Sequence, residues 1–265
     1  MPTTYAHYTF GSEVLKELKG DLKQTISENR ALYNIGLHGP DILFYYKPLK
    51  SNFVNRKGNE IHEEKSDVFF EKAGNLINAC SDKCDKQKAI SYIAGFICHF
   101  MLDSECHPYI REKESDNLSH NEIESEFDRI IMINNDLNPI SFKPTSHIVI
   151  QKEYADCISL FYDDIDSEVI LKTLKSMRFY LNFLVTPSRL KRFIIFNGLN
   201  ITGNSEKMKG LIMNYDANPS CIEINENLHN LYMKAIIPTV DLIYNFYENI
   251  SDNNPLNIRF HRNFG

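Results

Sequence analysis

The stretch His99-Phe100-Met101-Leu102-Asp103-Ser104-Glu105-Cys106-His107, followed by His120-Asn121-Glu122-Ile123-Glu124, decides the predicted fold and chemistry of this chain. Its histidines and carboxylates recur at four-residue intervals. On an α-helix, side chains at that spacing lie on one face, one turn apart. Imidazole and carboxylate ligands without a thiolate suit zinc first, then iron or manganese. The stretch therefore predicts helices that present metal ligands, which is the outline of a hydrolytic metal site.

A single His-x₃-Asp pair has a plainer interpretation, because such pairs often lie on a helix surface or hold a core histidine in place. The second pair and the additional histidine between them favour metal binding over that interpretation. Three further residues of ligand type lie upstream, at His7, Asp41 and His62.

Composition excludes several classes of protein. The chain has 265 residues, of which 43% are hydrophobic and 24% charged, so it can bury a sizeable core and is not of disordered type. Its net charge of −6 argues against a general basic face, and no stable nucleic-acid complex is expected.

The cysteines and the N-terminal sequence indicate the compartment. The six cysteines lack the density of a secreted disulfide scaffold. The first residues resemble no signal peptide, and no apolar run approaches the roughly 20 residues of a transmembrane segment. We therefore expect a reduced, cytoplasmic protein.

Apolar spacing predicts helices nearly throughout. The strongest spans Gln87–Asp103, and Pro108 predicts its end near Cys106. Ser119 is a good N-cap for the helix that carries His120. Other helices are predicted with a cap at Ser12, from about Ser146, Ser167 and Glu223, and near Pro187, with loops at Asp41–Asn59 and Asn197–Pro219. His62 is expected to open a helix of its own.

No alternating pattern predicts a sheet, so the fold class is all-α, a multi-helix bundle. We expect a single helical domain over residues 1–265. Its metal ligands lie in 1–130, and its C-terminal helices, in 145–265, serve as scaffold or substrate wall.

The ligand-type residues form an ordered series: His7, Asp41, His62, His99, Asp103, His107, His120 and Glu124. In types, order and helical spacing this series resembles the zinc-dependent phospholipase C family, which shares its helical fold with the P1-type nucleases. The stretches that carry the resemblance are Ala6-His7, Gly39-Pro40-Asp41, Ile61-His62, His99 to Pro108 and His120 to Glu124.

Carried over residue by residue, the resemblance implies two or three zinc ions per chain. Asp41, His62, His99 and Asp103 would hold one ion. Asp103 would bridge to a second that His7 also holds, and His107, His120 and Glu124 would hold the third. Asp41 would also be the catalytic residue, as general base beside the attacking water.

One departure concerns the N-terminus. Secreted members of the family complete one zinc site with an N-terminal tryptophan, and this chain has no tryptophan. A methionine before proline is normally removed, so the amine and carbonyl of Pro2 are the expected replacement. The alternative is that the terminus frays.

The implied function is hydrolysis of a phosphodiester bond in a phospholipid by metal-activated water. A P1-like nuclease, a hydrolase of small phosphorylated metabolites and a non-catalytic metal-binding protein are the alternatives. Tyr45, Tyr46 and Lys47 are candidate substrate-binding residues, because aromatic faces can hold a quaternary ammonium group or a base, and lysine can meet phosphate. The alternative for them is a solvated loop with buried tyrosines. His38 is either a partner of the ligands or a core histidine, and Asp128 and Glu126 are expected on a solvated face.

Overall fold

The predicted all-α class is confirmed in a computed structural model that describes residues 4–201, 210–252 and 255–265, with backbone only at 251–252. The α-helices, numbered α1 to α11 in chain order, are Thr4–Glu17, Gly20–Glu28, Arg30–Gly36, Phe53–Glu63, Ser66–Ala79, Lys83–Lys113, His120–Asn134, Lys152–Ser159, Ser167–Leu184, Arg189–Ile201 and Ile222–Asp252. Short 3₁₀ helices occupy Gly39–Tyr45, Pro219–Cys221 and Ile258–His261. Within the described ranges there is no β-strand, and none of the helices is long and apolar enough to cross a bilayer.

Helix α6 is the central element of the fold. Every residue from 89 to 104 is buried, as expected for a helix that other helices surround on all sides. Helix α3 packs closest to it: a Cβ added at Gly95 would lie 2.2 Å from the Tyr33 carbonyl oxygen, and one at Gly36 would lie 2.1 Å from the Tyr92 carbonyl oxygen. The two glycines therefore let the helix backbones touch.

The predicted end of this helix near Cys106 is wrong, because α6 continues through Pro108 to Lys113. The C-terminal segment packs on this turn, where the Phe264 carbonyl oxygen lies 2.9 Å from His107 Nδ1. A Cβ at Gly265 would lie 3.3 Å from Pro108 Cδ. Tertiary packing thus outweighs the local preference of the residue before a proline.

The loop predicted at Asp41–Asn59 is also wrong. The structure has the 3₁₀ helix Gly39–Tyr45 and then α4, and His62 lies near the end of α4 instead of opening the next helix. The asparagines that indicated a loop instead make hydrogen bonds that stabilise the start of α4. The Asn52 side chain caps α4 by accepting from the Asn55 N–H, and Asn55 Nδ2 donates to the Leu43 carbonyl at 2.9 Å.

Three smaller boundaries differ from prediction. Ser12 lies inside α1, where its hydroxyl donates to the Tyr8 carbonyl at 2.9 Å. The helix expected from Ser146 begins at Lys152. Helix α10 runs to Ile201, into the stretch predicted as a loop.

Candidate metal centre

Five helical elements bring the predicted ligands together. The ligand atoms form three groups, and within each group they lie within 4.8 Å of one another. These groups are Asp41, His62 and His99; His7, His99 and Asp103; and His107, His120 and Glu124.

The group of Asp41, His62 and His99 joins the 3₁₀ helix, α4 and α6. His62 Nε2 lies 3.2 Å from Asp41 Oδ1, and its Nδ1 lies 2.7 Å from the Gly58 carbonyl oxygen. Because a carbonyl only accepts, Nδ1 carries the proton and the Nε2 of the neutral ring is left as the ligand atom. Gly39 has φ +45°, and a Cβ there would lie 2.2 Å from His99 Cδ2, so the turn before Asp41 rests directly on the His99 ring.

The group of His7, His99 and Asp103 lies deepest. His7 Nε2 is 3.1 Å from Asp103 Oδ1, and His99 Nε2 is 3.1 Å from Asp103 Oδ2. The two imidazole rings stack with centroids 4.4 Å apart. Within the described chain, His7 Nδ1 and His99 Nδ1 are buried and have no hydrogen-bond partner, and His99 Nε2, although close to Asp103, does not meet hydrogen-bond geometry. Buried polar atoms are rarely left so unless a ligand supplies the missing partner.

The group of His107, His120 and Glu124 joins α6 to α7. Glu124 Oε1 lies 3.3 Å from His107 Nε2 and 3.1 Å from His120 Nε2. The opposite nitrogens are oriented from outside, His107 Nδ1 by the Phe264 carbonyl and His120 Nδ1 by Glu114. Such outer hydrogen bonds are usual for metal-binding histidines. His107 Nε2 also lies 3.5 Å from Asp103 Oδ1, which places Asp103 between this group and the preceding one.

The electrostatics fit divalent cations. Burial disfavours ionisation of Asp103, but His107, His99 and His7 outweigh it and hold the pKa of this carboxyl well below its usual range. Burial also opposes the charged form of His107, yet Asp103 and Glu124 raise its pKa to about 9. Ionised carboxylates surrounded by imidazoles, with no thiolate, form the donor set of hydrolytic zinc sites. The residues present therefore fit zinc ions.

Comparison with known proteins agrees with this chemistry. The family model for zinc dependent phospholipase C matches residues 6–176. The chain belongs to the zinc-dependent phospholipase C family. All eight predicted side-chain ligands lie inside the matched range, and the resemblance drawn from the sequence is confirmed at the level of the family. No curated protein and no solved structure shows significant similarity to the chain.

The N-terminal ligand predicted for this phospholipase C relative, Pro2, lies outside the described residues. His38 does not join the ligands. Its Nε2 lies 2.8 Å from Nε2 of His147, which also stacks on the Tyr8 ring at 4.1 Å. The two histidines therefore form a separate pair outside the three ligand groups.

The solvated face predicted for Glu126 and Asp128 is wrong, because both side chains are buried. Glu126 binds Arg129 at 3.0 Å. Asp128 accepts hydrogen bonds from the backbone N–H groups of Tyr5 at 3.2 Å and Ala6 at 2.7 Å, both in the first turn of α1. These are the donors that an N-cap satisfies, so Asp128 caps α1 from a distant helix.

Asp128 thereby fixes the helix turn that carries His7. The sequence holds a signal for this role that the prediction of a solvated face overlooks. Asp128 follows Glu124 by four residues and so continues the face of His120 and Glu124.

A cavity of about 540 Å³ lies near the centre, although none of the eight predicted ligands lines it. It is lined by neighbours of the ligands, including Thr4, Tyr45, Ser125 and Asp128, and by apolar side chains of α9. Of the three predicted substrate-binding residues, buried Tyr45 is among the cavity residues. Tyr46 and Lys47 lie beside it on the same turn, with the Lys47 ammonium 5.2 Å from the Tyr46 ring.

Proposed function

We propose that this protein is a multi-zinc phosphoesterase that hydrolyses a phosphodiester bond in a phospholipid. Family membership supports a zinc-dependent hydrolase of the phospholipase C type. The observation that carries the proposal is the convergence of three ligand groups, in which His99 belongs to two groups and Asp103 lies against the third. Two or three zinc ions, if held by these adjoining groups, would suit displacement at phosphorus.

We assign the ions as the family resemblance implies: Asp41, His62, His99 and Asp103 to one, His7 and Asp103 to another, and His107, His120 and Glu124 to a third. Distances of 3.1 to 3.5 Å between adjacent ligand atoms support this assignment. When bound, zinc lowers the pKa of water to about 7 and neutralises charge on phosphoryl oxygens.

Asp41 is the proposed general base. Burial acts to raise its pKa, but the adjacent imidazoles of His62 and His99 outweigh burial and lower it, so the carboxylate is ionised at neutral pH and can accept a proton. Its position in the turn that rests on His99 holds it beside the ligand groups.

The adjacent cavity supports a lipid substrate. Most of its lining residues are apolar or aromatic, with Met132, Phe142 and Leu184 as examples, and eight are polar or charged, Asp128 and Lys50 among them. Apolar pockets with a few convergent polar groups bind amphipathic small molecules. We also propose a reducing cytoplasmic location, which the six free cysteines support.

Replacing Asp41 with asparagine tests the proposal. The protein is loaded with zinc and incubated with a short-chain phosphatidylcholine below its micelle concentration, and release of the phosphorylated headgroup is measured. We expect turnover in wild type and a loss of at least about a hundredfold in Asp41→Asn. Thermal unfolding and zinc per chain report whether the variant keeps its fold and metal.

Asp116→Asn, at an exposed acid between α6 and α7, is the matched control and should retain full turnover. Absence of turnover in zinc-loaded wild type on phospholipids, nucleotide diesters and phosphomonoesters would contradict a catalytic function and favour a metal-binding protein.

A further inference from the structure

An exposed apolar surface covers the end of α9 and one side of α10. We call it the α9–α10 face and define it by Phe179, Phe183, Leu190, Phe193, Ile194 and Ile201. These side chains are between 44% and 86% exposed. Contiguous apolar surface of this kind is uncommon on a soluble protein and marks an interaction site.

Side-chain contacts hold the two parts of the face together. Phe179 and Phe183, four residues apart, stack their rings with centroids 5.9 Å apart. Lys191 Nζ lies 5.3 Å from the Phe183 ring and donates to the Val185 carbonyl at 2.7 Å, which ties the start of α10 to the end of α9.

Helix α10 turns its apolar stripe outward. Leu190, Phe193, Ile194 and Ile201 follow the spacing of one helix side, and Ile195 is the one buried residue of α10. In a globular protein such a stripe normally faces the core. Here it faces away from the described part of the chain.

The charge of this region favours an anionic partner. The chain as a whole has a net charge of −6, yet residues 169–205 contain six basic side chains and no Asp or Glu. Arg189 and Lys191 lie on either side of Leu190, about 100° around the helix in each direction. Apolar stripes with basic flanks are typical of helices that lie in the interface of an anionic bilayer, where the flanking cations meet lipid phosphates.

Helix α9 also links the face to the cavity near the metal centre. Residues Tyr180, Leu181, Leu184, Val185 and Thr186, which lie between Phe179 and Leu190 in the chain, line that cavity. A bilayer against the face would therefore contact a helix whose other side borders the cavity. The face falls C-terminal to the range 6–176 that matches the family model.

We propose that the α9–α10 face docks on the surface of membranes that contain anionic phospholipids and so delivers lipid to the cavity. The choice of lipid as partner rests on the proposed phospholipase function. The docking itself rests on the exposed stripe, its basic flanks and the position of α9 between the face and the cavity.

The test is binding of the zinc-loaded full chain to vesicles, measured by flotation. We expect binding to vesicles of 70% phosphatidylcholine and 30% phosphatidylglycerol to exceed binding to pure phosphatidylcholine by at least about tenfold and to weaken in 0.5 M salt. The double variant Phe193→Ser/Ile194→Ser should lose at least about tenfold of that binding. Both sites are exposed, so the fold should tolerate the change, and thermal unfolding checks it. Ile237→Ser, at an apolar residue of α11 that is 54% exposed, is the matched control and should bind as wild type does.

The absence of tryptophan allows a second, local readout. Tryptophan at position 193, in Phe193→Trp, should shift its emission to the blue on anionic vesicles and be quenched by brominated lipid. Tryptophan at position 237, in Ile237→Trp, should do neither. Only a probe that enters the bilayer gives both signals.

Several results would overturn the proposal. One is equal binding of the double variant and wild type, and another is no binding of wild type to either vesicle. A third is self-association of wild type that the double variant abolishes, which would assign the face to a second copy of the chain. Vesicle binding requires no turnover, so the two proposals fail separately. Loss of docking with hydrolysis of soluble short-chain lipid retained removes this proposal alone, and docking without any turnover removes the phosphoesterase alone.

Discussion

Replacing Asp128 with alanine should weaken both the start of α1 and the binding of zinc at His7. In the structure the Asp128 carboxyl accepts the backbone N–H groups of Tyr5 and Ala6, at 3.2 and 2.7 Å. Truncation to alanine removes both acceptors. The helix turn that presents His7 to Asp103 then has no cap from α7.

The magnitude follows from the two orphaned donors. A buried N–H group without an acceptor costs about 1–3 kcal/mol. Because Asp128 and Thr4 both line the 540 Å³ cavity, water can reach the two freed N–H groups. The lower end of that range, about 1 kcal/mol, therefore applies to each group. We therefore expect a loss of about 2 kcal/mol in the free energy of unfolding, together with about a 10- to 100-fold loss of affinity for one zinc ion.

Two measurements check this prediction. Burial raises the pKa of Asp128 to about 8, so in metal-free protein at pH 6 the carboxyl is neutral and urea unfolding there reports the hydrogen bonds without a buried charge. Zinc affinity is measured separately at pH 7 by competition with a chelating dye. Asp128→Asn keeps one carbonyl acceptor and should lose about half as much stability, and exposed Asp116→Ala should lose none. An Asp128→Ala variant that unfolds within about 0.5 kcal/mol of wild type and binds zinc equally well would refute the capping role.

Three further results are expected. Gly39→Ala should lose more than about 2 kcal/mol of stability and part of its zinc, since φ is +45° and the new Cβ would lie 2.2 Å from His99 Cδ2. Zinc per chain measures the loss. Gly20→Ala, with φ +63° but open space around it, is the control and should keep its zinc. Burial lowers the pKa of His147 to about 3 and that of His38 well below its usual range. Below about pH 6.5 these histidines therefore take up protons in the unfolded chain but not in the folded one. The free energy of unfolding then falls with pH, by up to about 1.4 kcal/mol per pH unit for each histidine. In urea unfolding of metal-free protein between pH 7 and 5, His147→Gln should show a smaller slope than wild type, and equal slopes would contradict the neutral pair. Chelation of zinc should lower the unfolding temperature, because a zinc ion present at about 1,000 times its Kd adds about 4 kcal/mol to the free energy of unfolding. Added zinc should restore the temperature. A thermal melt that chelator leaves unchanged would mean that zinc does not stabilise the fold.

The sequence determined α6 and α7, the helices that carry His99, Asp103, His120 and Glu124, and the pairing of residues within each of them. His99 with Asp103, and His120 with Glu124, are one turn apart on any α-helix, so four-residue spacing alone puts them on one face. The same spacing and the order of residue types were enough to indicate the family. Such features are local, and local backbone geometry repeats wherever a helix forms.

Only the tertiary structure decided which side chains meet across helices and which faces turn toward solvent. Asp128 follows the ligand face of α7, but its role depends on the first turn of α1, more than 120 residues earlier in the chain. Helix α6 continues through Pro108, where the C-terminal segment packs on it, and the apolar stripe of α10 faces outward although its spacing is that of a core helix. Periodicity gives each side chain an angle around its own helix axis, but the rotation of that helix against its neighbours depends on contacts between residues far apart in the chain.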